Sequence, residues 1–201
     1  MRKGNYEWIK NIKYLRHDIL LKFFELVEKI NLNSVERDLL IFKMLYSTGA
    51  RCYEFSQIKY EDIDFENNLI IIRPMNEKAD KIKQVRINKE LMRELKSYLR
   101  FNKITSGFIF RKKDGSCYTV RFYEKLFDRY FKHPVVEKEL NLPFKPSPHK
   151  IRHSHIITAL QKGVPINAIQ QNVGHSSLET TLIYSILAGE DVARAYKDVD
   201  F

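Results

Sequence analysis

Apolar positions recur at helical spacing through residues 18–30, "DILLKFFELVEKI", and predict an amphipathic helix there. The next segment, "NSVERDLLIFKMLYSTG", is apolar around so much of its circumference that it is expected to form a central buried helix. Asn33 is its expected N-cap, with Glu36 three residues on, and Gly49 its stop. "ARCYEFSQI" restarts a short helix in which Arg51 and Glu54, three apart, share a face, and the simplest role for them is a surface ion pair.

From residue 64 the texture changes. "NNLIIIRP" and "KIKQVRI" are two short β-rich runs joined by "MNEKAD", which implies a basic hairpin, with Asn67-Asn68 as a turn signal ahead of it. "KELMRELKSYLRF" returns to helix, "GFIF" and "DGSCYTV" suggest a further short hairpin or loop, and "RFYEKLFDRYFK" is helical again. Ser147-Pro148 has the form of an N-cap followed by proline at the first helical position, so a helix is expected from His149 to about Gly163. Pro165 opens a shorter one, "PINAIQQNV", that Gly174 ends, and Ser176 with Glu179 forms a capping box for a last helix carrying Tyr184. The expected class is therefore mainly α (α+β): a helical core with a small antiparallel sheet, in one domain.

Composition then narrows the chemistry. The 201 residues are 44% hydrophobic and 30% charged, enough for one sizeable core. No apolar run approaches a membrane span and the first residues lack a signal-peptide core, so a soluble, cytoplasmic protein without membrane contact is expected. Cys52 and Cys117 are too far apart in sequence for a metal knuckle, and are read as buried or idle thiols. The formal charge is +10, and from Arg73 to Lys113 thirteen Lys/Arg face four acids. Such clustering fits contact with a phosphate backbone and points to double-stranded DNA as partner.

"HKIRHSHIITALQKGVPINAIQQNVGHSSLETTLIYS", residues 149–185, holds four of the six histidines. His149 and His153 have the i, i+4 spacing of a zinc-binding helix, but the acidic residue of HExxH is missing and no third ligand is evident. Ala159, Gly163 and Ile169 match a helix-turn-helix, a pattern common by chance that leaves Arg51 and Tyr184 unexplained. Two arginines, two histidines, a lysine and a tyrosine are the set that phosphodiester cleavage without a metal or cofactor requires.

"TGARCYE" (residues 48–54), "HKIRH" (149–153) and "GHSSLETTLIY" (174–184) resemble the three signature boxes of the tyrosine recombinases, the phage integrase and Xer-type family. "EKADKIKQVRI" lines up with that family's GKGxKxRxVPL-like hairpin, with Lys78 at the place of its lysine. The resemblance implies that Tyr184 is the nucleophile forming a 3′-phosphotyrosine, and that Arg51 and Arg152 grip the non-bridging phosphate oxygens. It further implies that Lys78 protonates the departing 5′-oxygen, His149 manages the tyrosine proton, and His175 bonds a phosphate oxygen. Glu54 and His153 are supporting residues, His153 in a hydrogen-bonded structural role, and His155 and His133 are incidental. DNA contacts are expected from Lys81, Lys83, Arg86, Lys145 and Lys150.

Cys52 and Tyr53 stand where the family shows smaller residues. The family's core-binding domain, which precedes the catalytic one, is expected to be absent, since only about thirty residues, 1–17 of them a poorly defined segment, precede the central helix; the chain is then either a catalytic-domain fragment or a minimal recombinase. Residues 185–201 are read as a tail exchanged between protomers, in a homo-oligomer of up to four on DNA that is monomeric when free. Two further functions share these features: relaxation of DNA by a type IB topoisomerase, and silent DNA binding by a helix-turn-helix-like regulator.

Overall fold

The computed structural model describes residues 12–30, 34–74, 82–174, 184, 188 and 189. Lys78, Lys81, His175, Asn33, the capping box at Ser176 and most of the tail lie outside the described residues.

Helix α1 (His17–Glu28) turns Leu20, Phe23, Phe24, Leu26 and Val27 inward, and α2 (Val35–Thr48) is the central helix, buried along both flanks. α2 packs against α1, α4 (Lys89–Phe101) and α7 (Pro148–Gln161). Ser34, one residue after the expected cap, occupies the N-cap position of α2, and its hydroxyl donates to Asp38 Oδ2 at 2.9 Å. Asp38 is fully buried there, held also by Arg37 and by the Tyr130 hydroxyl at 3.0 Å. Phe42 packs edge-on to Phe23, Phe127 and Tyr130, joining α2 to α1 and to α5 (Val120–Phe131). Each such aromatic pair adds about 1 kcal/mol beyond the area it buries.

The sheet has three antiparallel strands in the order β1 (Ile63–Asp64), β2 (Leu69–Ile72) and β3 (Lys83–Arg86). The expected hairpin is β2–β3, with Ile72 opposite Lys83 and Leu69 opposite Arg86. β1 was not foreseen, because two residues are too short to show alternation. The segment expected as a second short hairpin or loop carries a single bridge, Arg111 to Cys117, while Phe108 bridges instead to Lys59. A short helix α6 (Pro134–Leu140), also unforeseen, follows α5, with Pro134 in its first turn.

α7 begins where expected: the Ser147 side chain accepts from the Lys150 amide, and Pro148 takes the first helical position. α8 (Ile166–Val173) follows after Gly163 and closes on Gly174, both glycines in the left-handed region that favours them. A second apolar cluster gathers Ile156, Ile157, Ile169, Val173, Tyr184 and Ala188. No described helix is long and apolar enough to cross a membrane. Cys52 and Cys117 are free thiols and only partly buried, which corrects the expectation for their burial. Burial still pushes the Cys52 thiol up to about 12, and the Gln57 amide donates to Cys117 Sγ at 3.3 Å.

Candidate active site

The site forms where three chain turns meet: the end of α2, the start of α7 and the end of α8. Gly49 stops α2 with φ +59, a conformation reached without strain by glycine. The turn places Arg51 as N-cap of α3 (Cys52–Ser56) and Glu54 at its third position. The Arg51 amide donates to Glu54 Oε2 at 3.0 Å, and its Nη1 to Oε1 at 3.2 Å. Nη2 of Arg51 reaches across to the Gly174 carbonyl at 3.3 Å. The pair is not a surface pair: the Arg51 side chain is 41% exposed, whereas Glu54 is 1% exposed.

Glu54 can be buried because a second cation meets it. Lys83 Nζ donates to Glu54 Oε2 at 2.6 Å, and the lysine side chain is 3% exposed. Burial works to raise the Glu54 carboxyl, but the Lys83 ammonium and the Arg51 amide and guanidinium outweigh it and hold the group below its usual range. Lys83 is therefore not on the DNA-facing surface expected for it. Its signal was present in the strand: with side-chain period two, Lys83 shares the inward face with Val85, while Gln84 and Arg86 point out. Arg86 remains exposed.

On α7, His149 lies in the first turn and Arg152 one turn on. Arg152 is buried, donating from Nη1 to the Gly49 carbonyl at 2.7 Å and from Nη2 to the Val173 carbonyl at 2.8 Å. One planar guanidinium thus ties the end of α2 to the end of α8. His149 is open to solvent on one side. The protein around it, then the charges of Arg152, Arg51 and Lys150, push its imidazole below the ordinary value, so it is neutral at neutral pH.

The Tyr184 hydroxyl lies 2.5 Å from His153 Nδ1, and the two rings sit 5.4 Å apart, centre to centre. His153 in turn meets the His149 ring edge-on at 4.2 Å. The imidazole at the tyrosine oxygen is thus His153, read from sequence as a support, with His149 behind it. Burial raises the Tyr184 hydroxyl to about 12, with Arg152 pulling the other way. His155 is no bystander either. Its Nδ1 donates to the Tyr46 carbonyl at 2.8 Å, its Nε2 accepts from Asn172 at 3.4 Å, and its ring lies against Gly49. A histidine at that offset carries no motif, so sequence offered no sign of it.

Lys145 pairs with Asp128 at 2.8 Å, and Lys150 Nζ donates to the Lys145 carbonyl and lies 5.4 Å from the Phe144 ring. Both sit beside the start of α7, flanking the site. Among the described residues, no three His, Cys, Asp or Glu side chains gather into a set that could hold a metal ion.

"Tyrosine recombinase XerA" of Pyrococcus furiosus is 32% identical over 186 residues, which are 91% of this chain and 60% of that protein. XerA of Thermococcus kodakarensis is 34% identical over 163 residues, 80% of this chain and 54% of that protein. The chain spans about half to three-fifths of the length of the curated relatives it matches. A crystal structure of XerA recombinase superposes with TM-score 0.74 at 25% identity, covering 94% of this chain and 66% of that one. The XerH site-specific recombinase bound to palindromic difH substrate shares the fold, with TM-score 0.77 at 24% identity, covering 93% of this chain and 53% of that one. Residues 13–190 match the phage integrase family across nearly the whole chain, and the chain belongs to that family.

Proposed function

We propose that this chain is the catalytic domain of a site-specific DNA recombinase that cleaves and rejoins strands through a 3′-phosphotyrosine. The observation that carries the reading is a tyrosine hydroxyl 2.5 Å from a histidine nitrogen, with His149 against that histidine and Arg152 near enough for its charge to act on the tyrosine. Tyr184 Oη forms a bond to the scissile phosphorus while the bond to the 5′-oxygen breaks. The phenolic proton passes to His153 Nδ1, with His149 behind it, and Lys78 supplies a proton to the departing 5′-oxygen. The reverse sequence, with a 5′-hydroxyl from another strand as attacker, reseals the DNA.

Arg51 and Arg152 hold the non-bridging oxygens, where charge grows from one unit to two in the five-coordinate transition state, and His175 adds a hydrogen bond. Fixed guanidiniums are worth most here because they need no reorganisation as that charge develops. A tyrosine held near 12 is almost wholly protonated at neutral pH, so attack depends on the histidine as acceptor.

Double-stranded DNA is the partner. The net charge of +10 and the Lys145 and Lys150 flank support this, as does the XerH relative having been solved on DNA. The chain works as a cytoplasmic, DNA-associated protein and assembles on DNA as a homo-oligomer of up to four, since exchange needs two cleaved duplexes.

A nicked duplex that loses its 5′-hydroxyl fragment after cleavage tests the reading. The wild-type chain should accumulate a covalent adduct in EDTA, and Tyr184→Phe should bind the same DNA without any. An adduct that persists in Tyr184→Phe, or strict dependence on an added divalent ion, overturns the mechanism. Relaxation of plasmid DNA lacking any preferred site, with no strand exchange between two sites, would instead identify a topoisomerase.

A further inference from the structure

Four charged side chains, Arg51, Glu54, Lys83 and Arg152, meet beside the tyrosine site, and two of them, Glu54 and Lys83, have no place in the mechanism above. Lys83, at the head of β3, is buried, although burying an ammonium is costly unless its donors are satisfied. Its Nζ donates to Glu54 Oε2 at 2.6 Å and reaches the Val173 carbonyl at 3.5 Å. Both acceptors are shared with the arginines of the site. Glu54 also takes the Arg51 amide and guanidinium, and Val173 also takes Arg152 Nη2. The lysine stem packs under Gly174, where an added Cβ would come within 3.2 Å of Lys83 Cδ. Gly174 is the residue whose carbonyl accepts from Arg51 and which precedes His175.

We propose that Lys83 is a positioning residue that sets the geometry of both arginines by occupying one oxygen of Glu54 and bracing the carbonyls at the end of α8. This inference rests on the strand-transfer reading.

The argument is one of competition for a carboxylate. A guanidinium beside a carboxylate with both oxygens open takes it as a fork, with two parallel hydrogen bonds, and the pair becomes neutral. Arg51 so paired would be drawn into the interior and its charge spent on Glu54. With Lys83 on Oε2, the Arg51 side chain is left with Oε1, and its Nη2 extends to the Gly174 carbonyl at the end of α8. Three cations and one carboxylate also leave the cluster an excess of positive charge at the place where the phosphate would gain its second negative charge. A lysine suits the node because its ammonium is compact and satisfies acceptors in several directions. Contact with DNA and proton donation are both ruled out for it by burial behind Glu54.

The test is a double-mutant cycle read as single-turnover adduct formation on the nicked duplex, with DNA affinity and thermal midpoint measured alongside. Lys83→Met should slow adduct formation by about 100-fold, the scale on which misplacing a catalytic group acts, while DNA affinity changes only a few-fold. In an Arg51→Lys background, where no guanidinium remains to fork onto Glu54, the same Lys83→Met change should cost under about 5-fold, because residues acting through one another are non-additive. Equal losses in the two backgrounds would show a role in stability alone and overturn the proposal, as would wild-type cleavage by a folded Lys83→Met protein. Should Lys83→Met fail to fold with only Arg51 left on Glu54, Glu54→Gln/Lys83→Met removes both charges together. With no carboxylate for Arg51 to close on, that double variant should fold and cleave no slower than Glu54→Gln alone, and a further loss of about 100-fold against Glu54→Gln overturns the assignment. A wild-type chain that forms no adduct at all defeats the strand-transfer reading and this inference with it, whereas an active wild type with an additive cycle defeats the inference alone.

Discussion

The hydroxyl of Tyr184 shares a 2.5 Å hydrogen bond with Nδ1 of His153, a residue next in sequence to the buried Arg152. Because consecutive positions on a helix point about 100° apart, α7 directs Arg152 toward the ends of α2 and α8 and His153 toward the tyrosine. In the proposed mechanism, one helix thus supplies both the charge that grips a phosphate and the acceptor that frees the nucleophile.

That division predicts a pH signature. His153→Ala should leave DNA binding within a few-fold and slow adduct formation by about 10²–10⁴-fold at neutral pH, the range for losing a general base. With the acceptor gone, Tyr184 must ionise unaided, and its hydroxyl is raised to about 12. The residual rate should therefore climb about tenfold per pH unit between about pH 7 and about pH 9. A flat profile in the variant would show that His153 only supports the tyrosine, and His149 would become the acceptor to test.

The two arginines should separate stability from chemistry. Arg152 is buried and satisfies two main-chain carbonyls, so Arg152→Lys leaves one unmet and should cost about 3 kcal/mol, or roughly 6–12 °C in thermal midpoint. Arg51 is 41% exposed, and Arg51→Lys should cost no more than about 1 kcal/mol. Both changes should reduce cleavage by about 10²–10³-fold. Equal shifts in thermal midpoint would contradict the different burial of the two side chains.

Much of this was legible in the chain because its helices obey local rules. Ser147-Pro148, Gly49, Gly163 and Gly174 mark the boundaries that bring Arg51, Arg152 and Tyr184 together, and each of these is a capping or stop signal acting within one turn. What was not legible depends on partners distant in sequence. Glu54 looked like half of a surface pair because Lys83, its other partner, lies 29 positions on and across the sheet. The partner of the hydrogen bond expected of His153 was not legible, because Tyr184 lies 31 positions on and beyond a break in the helices. α6 was missed because seven residues give too few apolar repeats to register.

Of the described glycines, Gly49 has the least room for a side chain. An added Cβ would lie 2.4 Å from Cδ2 of His155, and φ +59 already disfavours any L side chain. The left-handed conformation alone costs roughly 1–2 kcal/mol, and the ring cannot retreat without giving up the Tyr46 carbonyl. Gly49→Ala should therefore lower stability by more than about 2 kcal/mol in denaturant unfolding, and should also reduce cleavage by moving the carbonyl that Arg152 holds. A Gly49→Ala protein as stable as the wild type would mean that the turn does not need this conformation.

His155 gives the fold a dependence on acid. Burial, opposed by the hydrogen bond to the Tyr46 carbonyl and reinforced by Arg152, pushes its imidazole from the ordinary 6.5 down to about 4. The group binds its proton more readily unfolded than folded, so its contribution is fully present above pH 6.5 and is lost as pH falls toward 4, where the loss levels off. The full contribution is at most about 3 kcal/mol, and less to the extent that the partly exposed ring is solvated. His17 and His149 are shifted in the same direction, and Glu54 adds a further loss as pH falls below its usual range. His155→Phe fills the place between Tyr46 and Gly49 without a titrating group. The variant should be less stable than the wild type at neutral pH, where the Tyr46 carbonyl loses its donor, but its thermal midpoint should fall more gently between about pH 6.5 and about pH 4.5. Parallel midpoint curves for the two proteins across that interval would show that His155 does not titrate with folding.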